Sequence, residues 1–437
     1  MTFYSISKFF KYLIILFFAT ANNSIYAQTD TEDAKLKEFF SIYNYIQQLY
    51  VDEVEGDILF SDAIKGMVTG LDPHSNYLEP TEQKDLVESA KGTFGGLGIV
   101  ITKKDDAIQV ISPIDDTPAY RAGIQAGDLI VKIGNKLVSD MTLEDGVGLM
   151  RGPPNTSIEL TIVRENTEPF VITLTREIIT IITVKGYLID SNIGYIRVSA
   201  FQEPTAELLE TTIEELNEKN EGQIKSLILD LRNNPGGTLK GAVDVSNLFL
   251  DKEGLVVYTK GRIPSSNIEF ETVPGDIMDG MPIVVLINEG SASASEIVAG
   301  ALQDYSRAII MGNTSFGKGS VQTVIEISEG YGLKLTTARY YTPSGRSIQA
   351  KGIEPDIFLN NISLENENEK TIANIKEKDL DGHLKVEDPS KLSKEEILQS
   401  QENIKEENDK SVIERLNKDY FIHEASNLLK ALTILKQ

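Results

Sequence analysis

The chain has 437 residues, 41% hydrophobic and 25% charged, which is material for two or three folded domains rather than one core. Its formal net charge of -24 repels phosphate backbones and sets nucleic acid aside as a partner. It has no cysteine, so disulfides, thiolate catalysis, Cys-ligated zinc and lipid attachment through an N-terminal cysteine are excluded.

The first 27 residues carry Lys8 and Lys11, then an apolar run from Tyr12 to Ala19, then small and polar residues up to Ala27 and Gln28. That is the layout of a secretory signal peptide cleaved after Ala27. The apolar run is shorter than the roughly 20 residues a membrane span needs; an uncleaved N-terminal anchor is the alternative. The expectation is an exported, periplasmic protein. Residues 33–90 form a helical N-terminal region: Leu36, Phe39, Phe40, Tyr43, Ile46, Leu49 and Tyr50 recur at spacings of three and four. The turn residues of "GLDPHSNYLEP" (70–80) interrupt it.

Residues 91–180 change to short alternating runs, such as Ile158, Leu160, Ile162 and Phe170, Ile172, Leu174, separated by Gly and Pro. This is a compact β-rich module. Residues 185–357 alternate strands ("IGYIRV", "SLILDL", "PIVVLIN", "RAIIMG") with helices ("TAELLETTIEEL", "GAVDVSNLFL", "SEIVAGALQD"). That order predicts an α/β core, and the continuously apolar strands predict a sheet covered on both faces. Residues 358–415 are strongly charged and read as a solvated linker. A last helix, 416–437, sets Phe421, Ala425, Leu428, Leu432 and Leu435 on one face.

The stretch with chemical potential is "INEGSASASEIVAG" (287–300), where Ser291, Ser293 and Ser295 fall at a strand-to-helix turn. Such a turn exposes a side chain and aims backbone N–H groups at an anion. Ser295, followed by Glu296 and Ile297, reads as the helix cap. The pattern is not G-x-S-x-G, so the turn alone does not choose a nucleophile. A base is equally open. His74, His383 and His423 all lie outside the α/β core. Lys318 stands between two glycines just before an apolar run, on one strand face with Ser320 and Gln322. A lysine acts as base only when neutral; burial can lower its usual pKa of about 10.4 by up to about 3–5 pH units. A capping serine and a surface lysine are the ordinary roles of such residues, and local pattern does not decide between the two accounts.

Together, "GSASASEIVAGALQD" and "FGKGSVQ" resemble the carboxyl-terminal processing peptidases, also called tail-specific proteases. "AIKGMVTGLDPHSNYL" (63–78), "LILDLRNNPGG" (227–237) and "YYTPSGRSIQAKGIEPDI" (340–357) resemble further blocks of that family in the same order. The resemblance implies an α/β multi-domain chain: a β-rich PDZ domain beside a crotonase- or Clp-like protease core, with helical N- and C-terminal regions. It implies Ser293 as nucleophile, Lys318 as general base twenty-five residues on, and Gln322 as the group orienting the lysine. It implies an oxyanion hole from the N–H of Ala294 and a glycine of N-P-G-G, Gly237 first and Gly236 second. No metal or organic cofactor is required.

"GTFGGLGIVI" (92–101) resembles the start of a PDZ domain, and "RAGIQAGDLIVKIGNK" (121–136) its later helix and strand. Gly96, Leu97, Gly98 and Ile99 would then receive a peptide's terminal carboxylate, the peptide adding as a strand beside Ile99–Ile101. Asn155 stands where relatives often carry glycine, a substitution that a left-handed turn tolerates. Arg151 would sense the bound peptide. The implied activity is a periplasmic serine endopeptidase that captures apolar C-termini and cuts near the tail, self-associating through its helical ends, with an adaptor protein as a further partner. The competing readings are a silent PDZ-type peptide-binding or chaperone protein and a hydrolase that uses His74. The charged segment 358–415 has no counterpart in the resemblance.

Overall fold

The structure, a computed structural model, describes residues 31–359 except 115, 165, 166, 191 and 329, and residues 409–435 except 410, 411 and 415. The expected signal segment, most of the charged linker and His383 lie outside the described residues. Among the described residues no helix is long and apolar enough to cross a membrane. The chain divides into two units: residues up to Leu78 with Val324–Leu335, and Glu79–Thr323 with Thr336 onward.

In the first unit the apolar periodicity gives a helix over residues 31–49 and a second at Gly56–Thr69, with Tyr43 stacked on Phe60 at 4.7 Å between ring centres. The D-P-H-S stretch is a turn closed by Asp72, whose Oδ1 accepts the N–H groups of His74 (2.8 Å) and Ser75 (3.0 Å). The chain leaves it as a short strand, Asn76–Leu78, paired antiparallel with part of Tyr331–Tyr341.

In the second unit, helix Pro80–Lys91 leads into the β-rich module. Its sheet runs in the order Ile99–Lys104, Ala107–Pro113, Leu129–Ile133, Ser157–Val163, Phe170–Thr175. The alternation read in the sequence buries Leu160, Ile162 and Leu174 against Ile108 and Ile130. Thr93–Gly96 pairs with Glu177–Thr180 where the chain enters and leaves. Asn155 adopts φ +65°, the left-handed conformation its turn requires, and its N–H donates to the Arg176 carbonyl at 2.8 Å.

The α/β core is a six-stranded sheet in the order Val184–Asp190, Ile193–Val198, Ser226–Asp230, Ile283–Ile287, Ile309–Gly312, Ile357–Phe358. The first pair is antiparallel and the rest are parallel. Helices Thr205–Lys219, Leu239–Asn247 and Ala294–Asp304 cover one face, packing on Leu227, Leu229, Ile283, Val285 and Ile287. Helix Tyr420–Leu435 covers the other, packing on Ile228, Val284 and Leu286. Successive residues of one strand thus serve opposite faces, which is why these strands are apolar throughout. Each such side chain contributes roughly 1.5–3 kcal/mol on burial.

The last helix buries part of the expected face, Phe421 and Ala425 with Leu428 partly packed, and turns Leu435 away. Phe421, Ile422, Ala425 and Leu429 are buried, whereas Leu435 is 83% exposed. Two further strands, Leu255–Gly261 and Tyr331–Tyr341, pair antiparallel beside this core, Tyr258 opposite Tyr341. The loops at residues 231–238, 288–293 and 313–319 each follow the carboxyl end of a parallel strand, where open α/β sheets place their chemistry.

Candidate active site

The three serines at the turn have different tasks. Ser291 is fully buried; its Oγ donates to the Leu231 carbonyl at 2.8 Å and accepts the Asn288 N–H at 3.0 Å. Ser295 is also fully buried, and its Oγ donates to the Asn234 carbonyl at 2.9 Å. Both fasten the turn to the loop at 231–238. Ser293 is half-buried and is itself the N-cap of Ala294–Asp304, so the expected cap at Ser295 is corrected by two residues. Ser295 lies inside the first helical turn because the chain folds into helix as soon as it has passed Ser293. Ser293 sits at φ +56°, ψ -113°, a conformation that costs a residue with a Cβ about 1–3 kcal/mol and persists where surrounding structure imposes it.

What imposes it is Glu296, with no exposed surface. Its Oε2 accepts the Ser293 N–H at 2.7 Å and the Lys318 N–H at 2.9 Å. Its Oε1 accepts Ser315 Oγ and the Gly317 N–H, each at 2.6 Å. Burial pushes this carboxyl above the usual carboxylate range, against the pull of those four hydrogen bonds. Lys318 is half-buried on the same loop. Tyr340 joins the turn and this loop a second time: its hydroxyl donates to the Lys318 carbonyl and is in hydrogen-bond contact with the Ser293 side chain. Burial, then the Glu296 charge, holds the phenol well above its ordinary range, so it remains neutral. The strand expected to begin by Lys318 begins at Ser320. Gln322 Nε2 donates to Ser320 Oγ at 2.9 Å and to Thr336 Oγ1 at 3.4 Å.

The N-P-G-G loop lies against the serine turn. Fully buried Asn234 organises it: Nδ2 donates to the Val198 carbonyl, Oδ1 accepts the Gly236 N–H, both at 2.9 Å, and its carbonyl accepts the Ala292 N–H at 3.0 Å. A Cβ on Gly236 would lie 2.8 Å from Ser293 Cβ and 2.7 Å from the Ala292 carbonyl oxygen, so only glycine permits this approach. Among the described residues the N–H groups of Gly237 and Ala294 have no protein acceptor, while that of Gly236 is taken. Asp230 and Arg232 brace the loop. Asp230, fully buried, accepts from Tyr195 Oη at 2.8 Å and from Arg232 Nη2 at 2.7 Å, and Arg232 reaches Asp419 at 3.0 Å.

In the β-rich module, Leu97 is buried and its carbonyl accepts the Ala119 N–H at 3.0 Å; the Gly98 carbonyl accepts the Ile114 N–H at 2.8 Å. Gly98 has φ +76°, and a Cβ there would meet the Thr117 side chain at 2.2 Å. These bonds fix the turn from Gly96 to Ile99. Ile99–Lys104 pairs with Ala107–Pro113 on one side and, among the described residues, with no strand on the other. Arg151 lies 4.5 Å from the centre of the Phe94 ring and within 3.5 Å of Asp85.

The structure therefore brings Ser293, Ala294, Lys318, Gly236 and Gly237 to one set of loops, and Gly96–Ile99 to an open sheet edge. Glu296, Tyr340 and Asn234 were not anticipated in these roles. Glu296 carries a readable signal, since Ser-x-x-Glu before an apolar helix is a capping box. Tyr340 and Asn234 fall in the motif blocks at 340–357 and 227–237, but those blocks do not show these roles, because only the fold brings the two residues to the serine turn. Among the described residues no group of three or more His, Asp or Glu side chains is placed to hold a metal ion.

Three family models match the chain: Peptidase family S41 over residues 192–359, a PDZ domain over 109–164 and the Activating protease CtpB N-terminal domain over 7–85. A carboxy-terminal-processing protease of Bartonella bacilliformis is 48% identical over 327 residues, 74% of this chain and 75% of the relative. The carboxy-terminal processing protease CtpA of Bacillus subtilis is 36% identical over 343 residues, 78% and 72% of the two chains. A solved photosystem II D1 C-terminal processing protease aligns with 30% identity over 74% of this chain and 92% of its own, at a TM-score of 0.42. With near-half identity spread across three quarters of a processing protease, the chain belongs to peptidase family S41 and is a carboxy-terminal processing serine protease with a PDZ domain.

Proposed function

We propose that this protease acts as an exported endopeptidase through a Ser293–Lys318 dyad, and that it selects substrates by an apolar C-terminus held in its PDZ domain. The observation that carries the dyad is the shared carboxylate oxygen of Glu296: the backbone N–H groups of Ser293 and Lys318 both donate to it, at 2.7 and 2.9 Å. Nucleophile and base thus sit on two loops that share one carboxylate oxygen.

Ser293 Oγ attacks the scissile carbonyl while neutral Lys318 Nζ accepts its proton. Lys318 passes the proton to the leaving amine, leaving Ser293 acylated. Water, deprotonated by the same amine, then releases the acid. The oxyanion is received by the N–H groups of Ala294 and Gly237. Ser293 N–H and Gly236 N–H are excluded from that duty because Glu296 and Asn234 hold them. Gln322, beside Ser320 and Thr336, orients the lysine without adding charge.

Substrate enters tail first. Its terminal carboxylate meets the N–H groups of Gly96–Ile99, and its last residues extend the sheet beside Ile99–Ile101, the edge that has room for a strand. The N-terminal segment directs the chain to the periplasm. Exposed Leu36, Phe39 and Phe40 on the helix at 31–49, with Ile434 and Leu435 at the other end, support self-association through the helical ends. An adaptor protein is a further partner under this reading.

The test is degradation of an unfolded substrate, with an apolar or a charged C-terminus, by purified protein lacking residues 1–27. Ser293→Ala abolishes turnover and Lys318→Ala lowers kcat by about 10²–10⁴-fold, while His74→Ala stays active. Activity that survives loss of Lys318 but not of His74 would reverse the assignment of the base. Equal degradation of both tails would remove the PDZ selection.

A further inference from the structure

We infer that the buried carboxylate of Glu296 is a positioning residue for the reaction: as an anion it holds the Ser293 turn and the Lys318 loop in one register, without touching substrate. The inference rests on the Ser293–Lys318 reading and deepens it.

Four uncharged donors converge on Glu296, two on each oxygen. Oε1 takes Ser315 Oγ and Gly317 N–H at 2.6 Å; Oε2 takes Ser293 N–H at 2.7 Å and Lys318 N–H at 2.9 Å. An ionised carboxylate has about four lone-pair sites, and this set fills them. The donor set favours the anion against the opposite pull of burial: a protonated oxygen would face its own donors with a hydrogen. Both residues held through Oε2 are the ones whose side chains must exchange a proton. Ser293 is moreover held at φ +56°, a conformation that its own preferences oppose. The N–H bond to Oε2 opposes relaxation of that turn, and the same oxygen fixes where the Lys318 backbone begins.

A base that must be neutral thus stands on a loop held by a negative charge. A carboxylate beside an amine ordinarily favours the ammonium form. Here its lone-pair sites are taken by three backbone amides and one hydroxyl. Burial of this kind is costly, and the fold retains it where two catalytic loops meet.

Glu296→Gln is near-isosteric but places an NH₂ where one oxygen accepted two donors, so one pair of loops is pushed apart. A misplacement on the order of 1 Å costs about 10²-fold in rate. Kcat and KM for a short peptide, thermal unfolding, and binding of an apolar-tailed peptide are measured for wild type, Glu296→Gln, Glu296→Asp, Lys318→Ala and Leu216→Ala. Leu216, buried in helix Thr205–Lys219, reports loss of stability remote from the site.

The expected result is a fall in kcat of about 10²-fold in Glu296→Gln, with KM and tail binding unchanged and Leu216→Ala retaining wild-type kcat per folded molecule. Glu296→Asp keeps the charge but is one methylene short. It also loses kcat, and it serves as the second variant should Glu296→Gln not fold. Wild-type kcat in either folded Glu296 variant, with Lys318→Ala inactive, overturns the positioning role and leaves the dyad standing. A loss shared equally by Leu216→Ala makes the effect one of general stability and likewise overturns it. Full activity in Lys318→Ala removes the dyad and this inference with it.

Discussion

Ser293 is one residue in which sequence preference and structure conflict, since a non-glycine residue is held at φ +56° by the hydrogen bond from its own N–H to Glu296. The conflict has a consequence for stability. Burial raises the Glu296 carboxyl in the folded state above its unfolded value of about 4.3. The folded protein therefore binds that proton more tightly than the unfolded chain. Its contribution to stability is fully present below the unfolded pKa and is lost as pH rises through the folded one. The difference in melting temperature between wild type and Glu296→Gln should accordingly move against the wild type as pH is raised from about 4 to 7. A difference that stays constant, or moves toward the wild type, contradicts the direction given by burial.

Gly236 makes a second residue-scale case. Its missing Cβ would press on Ser293 Cβ at 2.8 Å from a backbone at φ +104°. Gly236→Ala should lower kcat by about 10²-fold through displacement of the serine turn, read by peptide turnover at saturating substrate. Of these contacts the sequence showed the serine run, the glycine-flanked lysine and the Ser-x-x-Glu spacing. It could not show which serines are spent on backbone carbonyls, because Leu231 and Asn234 lie some sixty positions away along the chain. Nor could it show that Tyr340, at the start of the 340–357 block, joins Lys318 to the turn.

At the scale of elements, burial decides what could be read. The strands of the α/β core are continuously apolar because Leu227 and Leu229 face one helix layer while Ile228 faces the other. That pattern announces itself in sequence. Tyr331–Tyr341 mixes Lys, Thr and Arg with its aromatics and has neither alternation nor a continuous apolar run, so its pairing with Leu255–Gly261 became visible only in the fold. The last helix was recognisable as a helix, but its buried face is centred on Ile422, Ala425 and Leu429, a rotation that periodicity in a short amphipathic stretch does not fix.

Two predictions belong here. Arg232 ties the N-P-G-G loop to that helix through Asp230 and Asp419. Removing it leaves the fully buried Asp230 short of its main partner, so Arg232→Ala should cost about 3 kcal/mol in urea unfolding. A loss below about 0.5 kcal/mol, the scale of surface pairs, would show that the pair does not anchor the helix. Gly98→Val, at φ +76° and against Thr117, should distort the loop at Gly96–Ile99. KM for tailed proteins then rises while kcat for short peptides is kept; an equal loss on both substrates would mean that the loop serves the core rather than tail capture.

At the scale of the whole molecule, an acidic chain with a PDZ domain and an S41 core is suited to handling polypeptides rather than nucleic acids. Under the proposed reading labour is divided: the open edge at Ile99–Lys104 would select the tail, and the loops at the carboxyl ends of the core strands would cut it. A Ser293→Ala protein expressed with its first 27 residues should retain polypeptides with apolar C-termini. Their identification by mass spectrometry would read the selection directly, and captured chains with charged tails would contradict it.

The central claim is that Ser293 is acylated with Lys318 as its base. Acid-quenched mass spectrometry during turnover tests it most directly. The account predicts substrate acyl groups on the peptide bearing Ser293 in wild type and in His74→Ala, and their formation slowed by about 10²–10⁴-fold in Lys318→Ala. An adduct on Ser293 forming at the wild-type rate without Lys318, or an adduct on Ser291 or Ser295 instead, would contradict it.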